Sequence, residues 1–353
     1  MTIVYKWEEN LRKVEPYVPG LQPQRKDVIK LNTNENPYPP SPKVIAALQS
    51  LDSETAMRKY PDPTSGDLVR ALEKYHRLDE GQVFVGAGSD DVLSIAFLAF
   101  FNSDKPVIFP DVTYSFYPVW TKMYRIPYQE IPLDDGFRVV PEDYVRENGG
   151  VVIANPNAPT GIALSRNEIG EIVAANPDVI VIVDEAYVDY GGESALPLLY
   201  DHENLVIVRT YSKSRAMAGA RIGYAIAGRR LIRAMNDVAQ SINSYTKSTI
   251  SLKAAVASLE DETYFRDRIE DVLRTRARTI LELKKRAFNV LPSSTNFVFA
   301  APTRIDAEQL YEELCSKNIF VRHFKAERIR DYLRITIGTD TEMDALFAAI
   351  DEI

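Results

Sequence analysis

A single cysteine, Cys315, stands in 353 residues, which excludes an intrachain disulfide and points to a reducing compartment. Cys315 falls inside AEQLYEELCSK, a helical pattern in which a thiol is a structural residue rather than a nucleophile. Histidine is nearly as scarce. His76, His202 and His323 lie far apart without metal-ligand spacing, so no metal site is expected. No apolar run approaches the ~20 residues that cross a bilayer, and the opening residues do not read as a signal peptide. Basic residues are outnumbered 42 to 50, for a formal net charge of −8, so nucleic-acid and anionic-membrane partners are not expected. A dinucleotide fingerprint is missing too: GAGSDD is not GxGxxG, and no acidic residue follows at the required distance. What these absences leave is a soluble, cytoplasmic protein.

With 45% hydrophobic residues, the chain can fill a large core and more than one domain. The first forty residues are proline-rich and aperiodic, and read as an arm lying on something else. SPKVIAALQSL, with serine before proline, opens a helix, and a second amphipathic helix starts near Ser65. From residue 83, apolar runs (VFVG, PVIFP, VVIAN, VIVIVDE, LVIVRT) alternate with helical stretches. That pattern predicts a mainly parallel sheet covered on both faces, a three-layer α/β domain, with ligands at the carboxyl ends of its strands. After about residue 228 long charged helices and the strands NFVFAAP and DYLRITIG predict a smaller α+β domain. The expected division is 1–50 for the arm and part of the small domain, 51–240 for the large domain and 241–353 for the small one.

The chemistry concentrates in VIVRTYSKSRAMAGARIGYAIA. Lys213 sits between two buried strands, and buried lysines are rare unless paired or chemically engaged. A Schiff-base lysine is one explanation. Asp184 closes VIVIVDE, 29 residues before Lys213, and Tyr187 follows three residues later. Asn157 lies in NPNAPTG, and Arg221 stands eight residues past the lysine. Together they have the chemistry of a pyridoxal phosphate site. Asp184 would hold the pyridine nitrogen protonated, Asn157 and Tyr187 would bind the ring hydroxyl, and Ser212 and Arg221 would take the phosphate. GAGSDD follows a strand and opens a helix, so amides around Ser89 and Asp90 suit the same phosphate. Each has a bland counterpart: Ser-Asp is an ordinary N-cap, Asp184 a strand-end carboxylate and Arg221 a partner for Asp184 or Glu185. Arg334, a charged residue within LRITIG, needs an anion.

Eight stretches in order, LNTNENPYPP, KYPDPTSGDL, GAGSDDVL, PDVTYSFY, NPNAPTG, VDEAYVDY, YSKSRAMAGARIGY and LRITIGT, resemble the fold-type I aminotransferases, and within them the histidinol-phosphate branch. The resemblance implies a pyridoxal 5'-phosphate enzyme with Lys213, Asp184 and Tyr187 as catalytic residues. It implies that Tyr114 stacks on the pyridine ring, and that Tyr60 reaches the cofactor phosphate of a neighbouring subunit in a homodimer with shared sites. Arg334 and Arg322, with Asn34 and Tyr17, are then substrate-binding. The implied partners are an amino donor and a 2-oxo acid acceptor: L-histidinol phosphate and 2-oxoglutarate, on the route to histidine. An aromatic or broad-specificity aminotransferase and a threonine-phosphate decarboxylase share these cofactor residues and remain open. A non-catalytic regulatory module is disfavoured, since no basic helix-turn-helix segment is present. Three positions depart from the family pattern: Ala158, Ser214 and Arg215, the last expected to add charge on the phosphate side.

Overall fold

Valine- and isoleucine-rich runs form the centre of the computed structural model, which describes residues 5–23 and 27–353. Residues 1–4 and 24–26 of the expected arm lie outside the described residues. In chain order the strands are β1 (Ile29–Lys30), β2 (Val83–Gly86), β3 (Val107–Pro110), β4 (Tyr128–Ile131), β5 (Gly150–Ala154), β6 (Val181–Asp184), β7 (Leu205–Thr210), β8 (Gly223–Ala227), β9 (Phe288–Val290), β10 (Phe297–Pro302), β11 (Ile319–Phe320), β12 (Arg322–His323) and β13 (Leu333–Thr336). The helices are α1 (Pro42–Gln49), α2 (Ser53–Arg58), α3 (Gly66–His76), α4 (Ser89–Phe100), α5 (Phe116–Tyr124), α6 (Arg166–Ala175), α7 (Arg229–Ile242), α8 (Thr249–Leu259), α9 (Glu262–Lys285), α10 (Ala307–Ser316) and α11 (Asp340–Asp351).

Seven strands form one sheet in the order β2-β8-β7-β6-β5-β3-β4. All neighbours are parallel except at β8, which runs antiparallel to β2 and β7. Alternate residues of each strand feed opposite cores. Val151, Ile153, Val181, Val183 and Ile207 pack with Leu68 and Leu72 of α3, Ile169 and Ile172 of α6 and the alanines of α8. Val152, Ile182, Val206 and Val208 face Leu93 and Phe97 of α4, Trp120 of α5 and Met235 of α7. Covered on both faces, the central strands β3, β5, β6 and β8 are buried throughout, which is why their sequences show no polar alternation.

A four-stranded antiparallel sheet, β12-β13-β10-β9, forms a second core with α9, α10 and α11 through Val298, Leu333 and Ile335 against Val272, Leu310 and Leu346. The short parallel pair β1–β11 ties the segment after the arm to this unit. The expected boundary at residue 240 falls within α7, and α8 beyond it packs with the large-sheet core. No helix among the described residues is long and apolar enough to cross a membrane.

Helix starts follow local chemistry. Ser41 caps α1 by accepting from the Val44 amide, with Pro42 at the first position. The helix expected near Ser65 is α3, where the Ser65 side chain caps nothing and Asp62 accepts from the Gly66 amide at 2.7 Å. The carboxyl ends of β3, β5, β6 and β7 and the start of α4 meet on one edge of the large sheet. The small sheet and the arm close over that edge.

Candidate active site

Lys213 lies three residues beyond β7, on a turn whose preceding residues Tyr211 and Ser212 are buried. Its Nζ donates to the Thr33 carbonyl at 3.2 Å and stands 5.6 Å from the Tyr187 ring centroid. It faces a cavity of about 310 Å³ whose wall includes Asp184, Tyr187, Tyr114, Ser89, Asp90, Ser212, Arg221 and Tyr17. A larger hollow, of about 1120 Å³, opens at the amino ends of the parallel strands around Asp178, Asn204 and Arg229. That hollow holds no comparable convergence of nucleophile, acid and cation, so the smaller cavity is the candidate site.

Asp184 ends β6 with its side chain in the cavity wall, 6% exposed. Its Oδ2 accepts from the Tyr117 hydroxyl at 3.0 Å and its Oδ1 from the Ala186 amide at 3.2 Å. Burial pushes this carboxyl up to about 6, with those two hydrogen bonds pulling the other way. Burial first, then the Asp184 charge, holds the Tyr117 phenol well above its ordinary range, so it stays a donor. No basic side chain pairs with Asp184 among the described residues, and a buried carboxylate without a cation suits a protonated ring nitrogen.

The phosphate end is a cradle. Gly88, at φ +94°, precedes α4, and a Cβ there would lie 2.5 Å from a terminal nitrogen of Arg221. A Cβ on Gly223 would lie 2.4 Å from the Ser89 nitrogen. Only glycines let the arginine, the helix start and β8 approach this closely. Arg221 donates to the Ser212 hydroxyl at 3.4 Å and pairs with Asp90 at 3.2 Å, so its ion-pair partner is neither Asp184 nor Glu185. Glu185 is held by Arg209 instead. The Asp90 carboxylate also accepts from Tyr114 at 2.7 Å. A buried, cation-seeking carboxylate at one end and a guanidinium over a glycine cradle at the other match the two ends of pyridoxal phosphate.

Further out, a connected hollow of about 780 Å³ is lined by Tyr17, Tyr114, Tyr187, Arg322 and Arg334. Arg322 and Arg334 sit directly opposite each other on β12 and β13 and therefore share a face. Arg334 gives one bond to the Asn32 carbonyl at 3.0 Å, while its buried Nε has no partner. Arg322 donates to the Val18 carbonyl at 3.2 Å. Neither forms an ion pair among the described residues. Two like charges opposed across a ladder, neither of them ion-paired, suit an anionic group.

Four expected residues line neither hollow. Asn157 commits its amide to the Val112 carbonyl and the Thr160 hydroxyl, and its Oδ1 to Thr113. Asn34 donates to the Tyr187 hydroxyl at 2.8 Å, so it orients Tyr187 rather than facing ligand. Tyr60 is 81% exposed and packs at a tilt against Tyr245, away from the site of its own chain. Arg215 carries no charge to the phosphate side. It turns away from the cavity into a box of aromatic rings, against the expectation. Tyr17 stacks on Phe116 at 4.3 Å and lines both hollows. Sequence reasoning did not single out Tyr117, Thr33 or Asn36. Asn36 donates to the carbonyls of Lys213 and Ser214, both at 3.2 Å. Their motifs, VTYSFY and LNTNENPYPP, were the available signal.

The model of the family described as aminotransferase class I and II matches residues 26–350. A histidinol-phosphate aminotransferase from Acinetobacter baumannii (strain SDF) is 49% identical over 338 residues, 95% of this chain and 94% of that protein. One from Lactococcus lactis subsp. cremoris (strain MG1363) is 49% identical over 346 residues, 98% of this chain and 97% of that protein. Among solved structures, histidinol-phosphate aminotransferase from Sinorhizobium meliloti, in complex with pyridoxal-5'-phosphate, superposes with a TM-score of 0.86 at 26% identity, covering 95% of each chain.

Proposed function

Since the chain belongs to the class I and II aminotransferases, we propose that it moves an amino group from L-histidinol phosphate to 2-oxoglutarate, giving imidazole acetol phosphate and L-glutamate, in histidine biosynthesis. Its cofactor is pyridoxal 5'-phosphate. The observation that carries the substrate reading is the pair Arg322 and Arg334, opposed on neighbouring strands at the mouth of the Lys213 cavity, neither of them ion-paired among the described residues. Glutamate presents an α-carboxylate and histidinol phosphate presents a phosphate instead. One anion subsite with two guanidiniums serves both, and favours the phosphate.

When bound, pyridoxal phosphate supplies a cationic ring that accepts the electron pair left as the substrate Cα–H bond breaks. Asp184 keeps the ring nitrogen protonated, and Tyr117 and the Ala186 amide hold that carboxylate in place. Ser89, Ser212 and Arg221 would hold the phosphate, and Tyr114 and Tyr187, the latter oriented by Asn34, would hold the ring. The Lys213 amine removes the proton from the donor Cα and returns one to the acceptor Cα in the second half-reaction. Arg334 and Arg322 fix the anion and so aim Cα at Lys213.

The functional unit in this reading is a homodimer in which Tyr60 completes the partner's site. The exposed, touching rings of Tyr60 and Tyr245 support it. The same reading puts the enzyme in the cytoplasm, a reducing milieu that suits a lone Cys315. Single-turnover kinetics with L-histidinol phosphate, L-glutamate, L-phenylalanine and L-tyrosine test the substrate assignment. Histidinol phosphate is expected to give the highest rate constant per molar donor. Preference for phenylalanine or tyrosine would replace this reading with the aromatic one, and release of carbon dioxide from threonine phosphate with the decarboxylase one.

A further inference from the structure

Arg215 is 8% exposed and has no ion-pair partner among the described residues. Its guanidinium carbon lies 4.1 Å from the Phe265 ring centroid, 5.1 Å from that of Tyr75 and 5.5 Å from that of Tyr211. One terminal nitrogen donates to the Ser258 carbonyl at 2.9 Å and the Ser258 hydroxyl at 3.4 Å. Stability alone does not account for such a cation. An apolar chain of similar length fills an aromatic box without desolvating a charge, and exchanges of that kind are often neutral or stabilising.

The turn beside it explains the arrangement better. The Ala216 amide donates to the Lys213 carbonyl at 3.2 Å, and the Met217 amide to Tyr211 at 3.0 Å. Closing this turn puts Ala216 at φ +55°, in the left-handed region that a residue with a Cβ adopts only at a cost. Such a conformation persists where its surroundings over-determine it. Here three consecutive residues are each tied to a different part of the molecule. Asn36 holds the Lys213 carbonyl, Asp189 accepts from the Ser214 hydroxyl at 2.5 Å, and Arg215 reaches the junction of α8 and α9. The Arg215 tie adjoins the strained residue. It also reaches α9, whose far end lies in the small-sheet core.

We propose that Arg215 is a positioning residue for Lys213: it locks the lysine turn, with its left-handed Ala216, onto the α8–α9 junction. The proposal rests on Lys213 as the cofactor lysine.

The test compares wild type, Arg215→Met, Ala216→Gly and the double variant as loaded enzymes. Brief borohydride pulses report how readily cofactor is fixed on Lys213. Hydrogen exchange at the Ala216 and Met217 amides, also read in the apoproteins, reports the turn itself. Arg215→Met should keep its Tm, label Lys213 more slowly and exchange both amides faster. It should lose about 10- to 100-fold in kcat with donor KM little changed, the scale on which misplacing a catalytic group by ~1 Å operates. Ala216→Gly alone should label like wild type. Added to Arg215→Met, it should restore labelling, because glycine reaches the left-handed turn without the tie. Should Arg215→Met not fold, Arg215→Lys, which keeps the cation but not the planar fork, should fall between it and wild type in labelling and kcat. Wild-type labelling, exchange and kcat in Arg215→Met, or a loss that tracks Tm and ignores Ala216→Gly, would overturn the proposal. Label on another lysine in wild type would instead overturn the reading of Lys213 beneath it.

Discussion

Asp184 carries two demands that oppose each other: it must be buried to meet a ring nitrogen, and burial disfavours its charge. Its folded value of about 6 lies above the ~4 of an unfolded aspartate. The raised value means the apoprotein binds a proton that the unfolded chain releases. The stabilising contribution is therefore complete below about pH 4 and is lost as pH rises through about 6. Asp184→Asn apoprotein should accordingly outlast wild-type apoprotein at pH 7, by about 3 kcal/mol at most, and match it at pH 4. With cofactor bound the order should reverse at pH 7, since an amide cannot offset a cationic ring. Melting curves of both proteins, with and without cofactor at the two pH values, check the four signs; equal apoprotein stability at pH 7 would remove the electrostatic role given to burial. Placing Asp184 at a strand end needed only the apolar run before it. Its hydrogen bond from Tyr117 was not legible, because the partner lies 67 residues away on another element and side-chain direction leaves no periodic trace.

At the scale of elements, β12 and β13 carry the two arginines of the proposed anion subsite. Arg334 was conspicuous as a charge inside an apolar strand. Arg322 was not, since a two-residue strand has no pattern to interrupt, and only the register puts the two arginines opposite each other. Arg334→Ala should impair the half-reactions with glutamate and with histidinol phosphate alike. Arg322→Ala should impair the phosphate donor at least as much as glutamate. Each loss should be roughly 10- to 150-fold in kcat/KM, the equivalent of one charge-assisted contact at about 1.5–3 kcal/mol. An Arg322 variant that handles the phosphate donor normally would remove that residue from the subsite. The parallel strands themselves were readable from their β-branched runs, as was the change of texture after residue 228. The packing of α8 onto the large sheet was not, because its alanines fit either core.

On the scale of the whole molecule, the site draws on the arm, the large sheet and the small sheet, and the single chain leaves Tyr60 outside it. If each site borrows Tyr60 from its partner, Lys213→Ala and Tyr60→Ala proteins, each impaired alone, should recover activity when their subunits exchange, because one of the two mixed sites is then intact. No recovery despite measured exchange would make each chain's site self-sufficient. The long-range ties that unite these parts, such as Asn36 to Lys213 across 177 residues, are invisible in sequence for the reason that holds for Tyr117.

The most direct test of the central claim is borohydride reduction of the purified yellow protein, followed by peptide mapping. The account predicts one reduced pyridoxyl group, on Lys213, and Lys213→Ala protein that still takes up cofactor but is slowed in transamination by at least ~10²–10⁴, the worth of its proton transfers. A pyridoxyl group on any other lysine, or none at all, would contradict it.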